Sequence, residues 1–212
     1  MNSEVKIQSS KEQWENISQG GELEFHKRPN IRSDGQKFLE GNSRLWTMLG
    51  FKSDQYTGKT ILDVGAGSKL RGKFFSNATL WAIEPLGDKF VKEVAWCDLK
   101  EADRLYSCPA EEMIVDIAYQ CDFVFSINVL DYCFDFKQIV ENIYHYVKPE
   151  GLVFLAYDSH NKVDPLHPLV LDQKISDQIY KDLGFHIKKS QKISTFHKGI
   201  SDYALAYWLS KK

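Results

Sequence analysis

The sequence predicts an α/β protein built on a doubly wound, mostly parallel sheet with an antiparallel hairpin at one edge. Three observations carry that prediction. From residue 59 onward, short apolar runs alternate with segments of helical period, the order expected of strands and helices wound into layers. The first four runs are predominantly apolar without strict alternation, which suits strands covered on both faces. The last two runs are joined by a short connection through His197-Lys198-Gly199 that has no helical pattern, so they pair as an antiparallel edge hairpin.

The four continuous runs are residues 60–64, 79–84, 122–127 and 152–157, and the edge pair is 185–187 with 203–209. Between them, Asp135 and Gln138 have the spacing of a capping box, and Ile139, Val140, Ile143 and Val147 follow on one face. Leu171, Ile175, Ile179 and Leu183 recur every four residues, with Gly184 as the stop. Ahead of the sheet, Ser33 and Gln36 resemble a second capping box, and Phe38, Leu39, Leu45, Trp46 and Leu49 keep helical spacing up to Gly50. Residues 1–32 are polar, broken by Gly20-Gly21 and Pro29, and read as an irregular arm lying on the domain.

Composition narrows the class. A chain of 212 residues suits one large domain, and 43% hydrophobic with 26% charged residues is an ordinary globular balance. A formal net charge of -2 argues against tight duplex binding by bulk charge. The four cysteines form no CxxC pair, which argues against a zinc knuckle and for reduced thiols in a cytoplasmic protein. Residues 1–6 lack the apolar stretch of a signal peptide. No apolar run approaches the roughly 20 residues that span a bilayer.

The chemistry concentrates at the ends of the runs, where doubly wound sheets bind ligands. The first run ends in Asp63-Val64-Gly65-Ala66-Gly67-Ser68. Its glycines let the backbone turn sharply and approach a ligand, and amides opening a following helix would face polar ligand groups. A dinucleotide fingerprint requires glycine at position 70, where Leu70 stands. Asp63 suits a cationic ligand better than a pyrophosphate. Glu84, closing the second run, can accept both hydroxyls of a ribose. These residues describe a nucleoside with a positive neighbouring group.

With those stretches, Pro109-Ala110-Glu111-Glu112-Met113, Ser126-Ile127-Asn128-Val129-Leu130 and Val147-Lys148-Pro149-Glu150-Gly151, the chain resembles class I S-adenosylmethionine-dependent methyltransferases of the type 11-like group, over roughly residues 58–210. The resemblance implies a Rossmann-like, seven-stranded fold. It implies an N-terminal arm and helix (1–50) packing over the site of a cofactor-binding domain (51–212). It also implies that Gly65, Ala66 and Gly67 wrap the methionine part of the cofactor beside Asp63. Glu84 would hold the ribose, Ala110 and Glu111 would lie along the adenine, and the Asn128 carbonyl would meet the amino group. The chain departs from the family at Lys69, where many relatives have a third glycine, and at Pro109, where many have Asp.

Methyl transfer needs a base only for a hydroxyl or protonated amine. On the acceptor side the candidates for proton handling are His167, His160 and Asp131, and those for substrate contact are Phe25, His26, Arg28 and Tyr132. His160 and His167 with Asp164 match no familiar metal spacing, so no metal is expected. The acceptor expected is a small molecule or saccharide, in a protein that needs neither nucleic acid nor membrane. The alternatives are an RNA or DNA methyltransferase, using a basic stripe of Lys69, Arg71, Lys73, Lys188, Lys189 and Lys192, or a non-catalytic protein that retains the fold. A nicotinamide oxidoreductase is disfavoured by Leu70.

Overall fold

The computed structural model describes residues 8–160, 162–164, 166–197 and 201–211. Residues 1–6, read above for targeting, and Lys198-Gly199 of the edge connection lie outside the described residues. Seven strands form one sheet: β1 (Thr60–Val64), β2 (Thr79–Ile83), β3 (Arg104–Tyr106), β4 (Cys121–Ile127), β5 (Val147–Asp158), β6 (Phe185–Ile193) and β7 (Ala204–Lys211). Their order is β3-β2-β1-β4-β5-β7-β6. The pairings from β3 through β5 are parallel, and β7 runs antiparallel to both β5 and β6. Strand order reverses between β1 and β4, which opens a crevice beyond their carboxyl ends. β3 had no sequence signal because its three residues, Arg-Leu-Tyr, are too few and too polar to read as a buried run.

The continuous apolar runs are explained by two cores, one on each face. Leu62, Val64, Val124, Val153 and Leu155 face one side. Ile61, Phe123, Phe125 and Phe154 face the other. The first side is covered by α5 (Phe136–Tyr146), with α6 (Gln173–Asp182) also packed into that core. The second centres on Trp46 of α3 (Gly35–Met48), whose ring lies 5.0 Å from those of Phe51, Phe75 and Phe125.

Asp135 caps α5 as its spacing suggested, accepting the Gln138 amide at 3.0 Å. Gly50 and Gly184 both follow helix ends at φ +89°, a conformation that favours glycine. Ser33 does not cap α3. Its hydroxyl is committed to the Asn30 carbonyl at 2.7 Å, closing a 3-10 turn at Ile31–Ser33, and Asp34 takes the capping place, accepting the Lys37 amide at 3.1 Å.

Two further expectations are corrected. The arm is helical, with α1 (Lys11–Gln13) and α2 (Gln19–Lys27) joined by a π-helical turn at Trp14–Ser18. Gly20 and Gly21 do not break it, because Trp14 and His26 are buried against the domain and tertiary packing overrides local propensity. No α-helix follows the glycine loop. A 3-10 turn at Arg71–Phe74 leads to β2, while α4 (Gly87–Glu93) follows β2. The face where a helix would lie is filled by α3, whose Asn42 and Trp46 side chains donate to the Arg71 carbonyl at 2.9 and 3.1 Å. Among the described residues no helix is long and apolar enough to cross a membrane.

Candidate functional site

A cavity of about 370 Å³ lies beyond the carboxyl ends of β1, β2 and β4 and under the arm. Of the residues singled out for a cofactor, all but Asp63 line it: Gly65, Ala66, Gly67, Glu84, Ala110, Glu111 and Asn128. Three parallel strands that end at one level bring these distant residues to one opening.

The glycine loop is built by close approach. Gly65 and Gly67 have φ of +75° and +63°, and a Cβ on Gly65 would collide with Val129. Glu84 clamps the turn: the Gly67 amide donates to Oε2 at 2.8 Å and the Leu86 amide to Oε1 at 3.0 Å. Burial nonetheless pushes the Glu84 carboxyl up to about 7, against the pull of those two amides. Asp63 is buried but is not among the cavity walls; its Oδ2 accepts the Arg71 amide at 3.2 Å. Burial raises Asp63 to about 7, opposed chiefly by the nearby Arg71. Lys69, in place of a glycine, is tied to Asp98 at 3.5 Å.

Glu111 turns part of its carboxylate away from the cavity. Oε1 accepts the Phe134 and Asp135 amides at 3.0 and 3.3 Å, and burial raises the group to about 7. Asn128 sits at φ +59° with its amide donating to the Ala156 carbonyl at 2.7 Å, and its side-chain Oδ1 is buried with no partner. That oxygen is an acceptor in want of a donor.

The arm covers part of the cavity with Trp14, Glu22, Phe25, His26 and Arg32. His26 is seated on the glycine loop. Its Nδ1 lies 2.7 Å from the Ser68 hydroxyl, and a Cβ on Gly67 would stand 2.9 Å from its ring. The Ser68 amide donates to Nδ1 at 3.3 Å, so the ring proton sits on Nε2, 3.5 Å from Glu22. Burial keeps the His26 pKa below its ordinary value, which favours this neutral form. Phe25 lines the cavity, whereas Arg28 is exposed and does not. Arg32 takes the place expected of Arg28, its guanidinium 5.3 Å from the Phe25 ring.

On the far side stand Tyr132, Phe196 and His197. His197 Nδ1 lies 3.3 Å from Asp158 Oδ2 and 3.1 Å from the Tyr132 hydroxyl, and the hydrogen-bonded Asp158 carboxylate raises its pKa. His167, His160 and Asp131 come together as a buried group behind Tyr132 and are not among the cavity walls. The sequence reading passed over His197, Arg32 and Arg71 as cavity residues; none belongs to a motif, and only the closed arm and the edge connection bring them in. Lys73 pairs with Asp98 and Glu101, Arg71 lines the cavity, and Lys189 and Lys192 lie over Trp208 and Tyr203.

No family model matches the chain, and no curated protein matches it significantly. Solved structures do. A methyltransferase of Leishmania major described as S-adenosylmethionine-dependent superposes with a TM-score of 0.63 at 12% identity, over 97% of this chain and 88% of that one. One from Aquifex aeolicus gives 0.59 at 17% identity, over 89% and 96%. The 1,6-didemethyltoxoflavin-N1-methyltransferase of Burkholderia thailandensis, with 1,6-didemethyltoxoflavin and S-adenosylhomocysteine bound, gives 0.56 at 14% identity, over 86% and 84%. The chain therefore has the Rossmann-like fold of class I S-adenosylmethionine-dependent methyltransferases.

Proposed function

We propose that this protein is an S-adenosylmethionine-dependent methyltransferase acting on a small-molecule or saccharide-type acceptor. One observation carries the reading: the glycine loop, Glu84, Ala110-Glu111 and Asn128 line one cavity at the point of strand reversal. The two positive-φ glycines suit a ligand pressed close to backbone. When bound, the cofactor supplies a methyl group already activated on a sulfonium.

The chain's own residues then divide the work. Glu84 accepts the ribose hydroxyls, and Asn128 meets the amino group. Arg71, with Arg32 near it, offers positive charge to the methionine carboxylate, standing in for the helix N-terminus that this loop lacks. The arm excludes water, and holding donor and acceptor in line contributes roughly 7–11 kcal/mol of barrier reduction. His197, oriented by Asp158 and facing Tyr132, takes the proton of an acceptor hydroxyl or amine at a ring nitrogen. Phe25 and Phe196 offer apolar walls to the acceptor. The cavity, about 370 Å³ and partly covered by the arm, has the size of a small-molecule site, which supports a compact acceptor.

Calorimetry with S-adenosylhomocysteine tests cofactor binding, and labelled methyl transfer to fractionated small-molecule extracts tests the acceptor class. No heat of binding at millimolar cofactor refutes the reading. Binding without transfer to any fraction favours a non-catalytic role, and transfer confined to RNA or DNA favours the nucleic-acid alternative.

A further inference from the structure

Behind Tyr132, the 3-10 turn after β4 (Leu130–Tyr132) and the segment after β5 bring together Asp131, His160 and His167, all buried. One ligating atom from each lies within 4.8 Å of the others. His160 Nε2 is 3.1 Å and His167 Nε2 3.9 Å from Asp131 Oδ2, and the two imidazole rings stack at 4.3 Å. Two atoms of this group have no hydrogen-bond partner: His167 Nε2 and Asp131 Oδ1.

The tautomer of His167 makes that arrangement informative. Its Nδ1 lies 2.9 Å from Asp164 Oδ2, an acceptor, so Nδ1 donates and the neutral ring presents a lone pair at Nε2. That lone pair faces a carboxylate oxygen in a space closed to water. The 3.9 Å separation is too long for an N–H···O bond. Lone pair against carboxylate is unfavourable unless positive charge lies between them. A carboxylate behind an imidazole is also the arrangement that fixes a ligating nitrogen in metal sites.

We propose that Asp131, His160 and His167 bind one first-row divalent cation of the Zn2+ kind. Two imidazoles and one carboxylate suit such an ion, whereas Mg2+ and Ca2+ prefer oxygen throughout. Asp131 Oδ1, the unpartnered second carboxylate oxygen, completes the coordination. The ion is structural: none of its ligands is a cavity wall, and it ties the segment carrying His160 and His167 to the turn carrying Tyr132. The acceptor side of the cavity is thereby fixed. The spacing of His160 and His167 alone gave no metal motif because the third ligand comes from the loop of the neighbouring strand.

The test uses the full chain without a histidine tag, stripped with chelator and dialysed against Zn2+, with bound metal measured by mass spectrometry. The expected result is one Zn2+ per chain and a rise in Tm when Zn2+ is restored. Asp131→Asn with His167→Gln loses the ion, Asp164→Asn weakens it by roughly 10–100-fold, and His186→Gln, at an exposed position on β6, retains it. Substoichiometric uptake by the wild-type chain overturns the proposal, as does full uptake by the double variant. Where a ligand variant fails to fold, the wild-type Tm decides, and a Tm unmoved by Zn2+ overturns the proposal. None of these readouts involves cofactor or methyl transfer, so they stand or fall apart from the proposed activity.

Discussion

Replacing Glu84 with glutamine tests the ribose contact proposed for it. Glu84 is 6% exposed, and its two oxygens accept the Gly67 and Leu86 amides separately. Glutamine keeps the shape but offers one oxygen and one NH2, so one of those amides faces a donor. Loss of the charged acceptor for the ribose hydroxyls costs about 1.5–3 kcal/mol, which weakens cofactor about 10- to 150-fold. Burial places the wild-type carboxyl at about 7. Between pH 8 and pH 6 its ionised fraction falls from about 0.9 to about 0.1, so affinity falls by up to about tenfold as the stronger acceptor is lost. The glutamine variant lacks that component of the pH dependence. Calorimetric titration of both proteins with S-adenosylhomocysteine at the two pH values measures both effects. Affinities within twofold at pH 8, with the same pH slope, would remove Glu84 from the site.

Three other outcomes are expected. Gly65→Ala places a side chain at φ +75° and against Val129; the left-handed backbone costs about 1–2 kcal/mol and overpacking about 1–3 more, read by denaturant melts. Trp14→Ala removes the ring packed 5.1 Å from Phe134; with about 3 kcal/mol of packing lost, amide exchange in α2 accelerates roughly 100-fold while β4 stays protected, and equal acceleration in both would deny the arm its independence. Glu111, raised to about 7 by burial, keeps a proton that the unfolded chain releases above about 4.5, so its contribution to stability falls as pH rises through that window. Glu111→Gln preserves an acceptor for the two amides; it is close to neutral at pH 5 and stabilises by up to about 3 kcal/mol at pH 8, and identical melts of variant and wild type at both pH values would refute the buried-acid argument.

The sheet was legible because its central strands are covered on both faces. Residues 60–64 and 122–127 carry no polar alternation that could be confused with another element. The motif residues were legible for a related reason: parallel strands align their ends, so Gly65, Glu84 and Asn128 had to meet. The arm was illegible because its helix is held by Trp14 and His26 packing on distant residues, while Gly20-Gly21 speaks locally against it. The missing helix after β1 was hidden likewise, since α3 claims that face through Trp46. Tyr132, Asp131, His160 and His167 were legible by their place after the fourth and fifth strands, but His197 and the grouping of Asp131 with the two histidines depend on tertiary contacts that no spacing along the chain announces.

The seat of His26 on Gly67 and Ser68 bears on turnover. If the loop wraps the cofactor as proposed, the imidazole seated on Gly67 and Ser68 must move for the spent cofactor to leave. On that reading product exchange is expected to depend on the opening of α2, which the buried Trp14 anchors and the partly exposed Lys27–Glu93 pair at 2.6 Å borders. A chain shortened to begin at residue 30 would exchange cofactor faster and hold its acceptor less well. The arm would then set residence time, a property separate from the chemistry inside the cavity it covers.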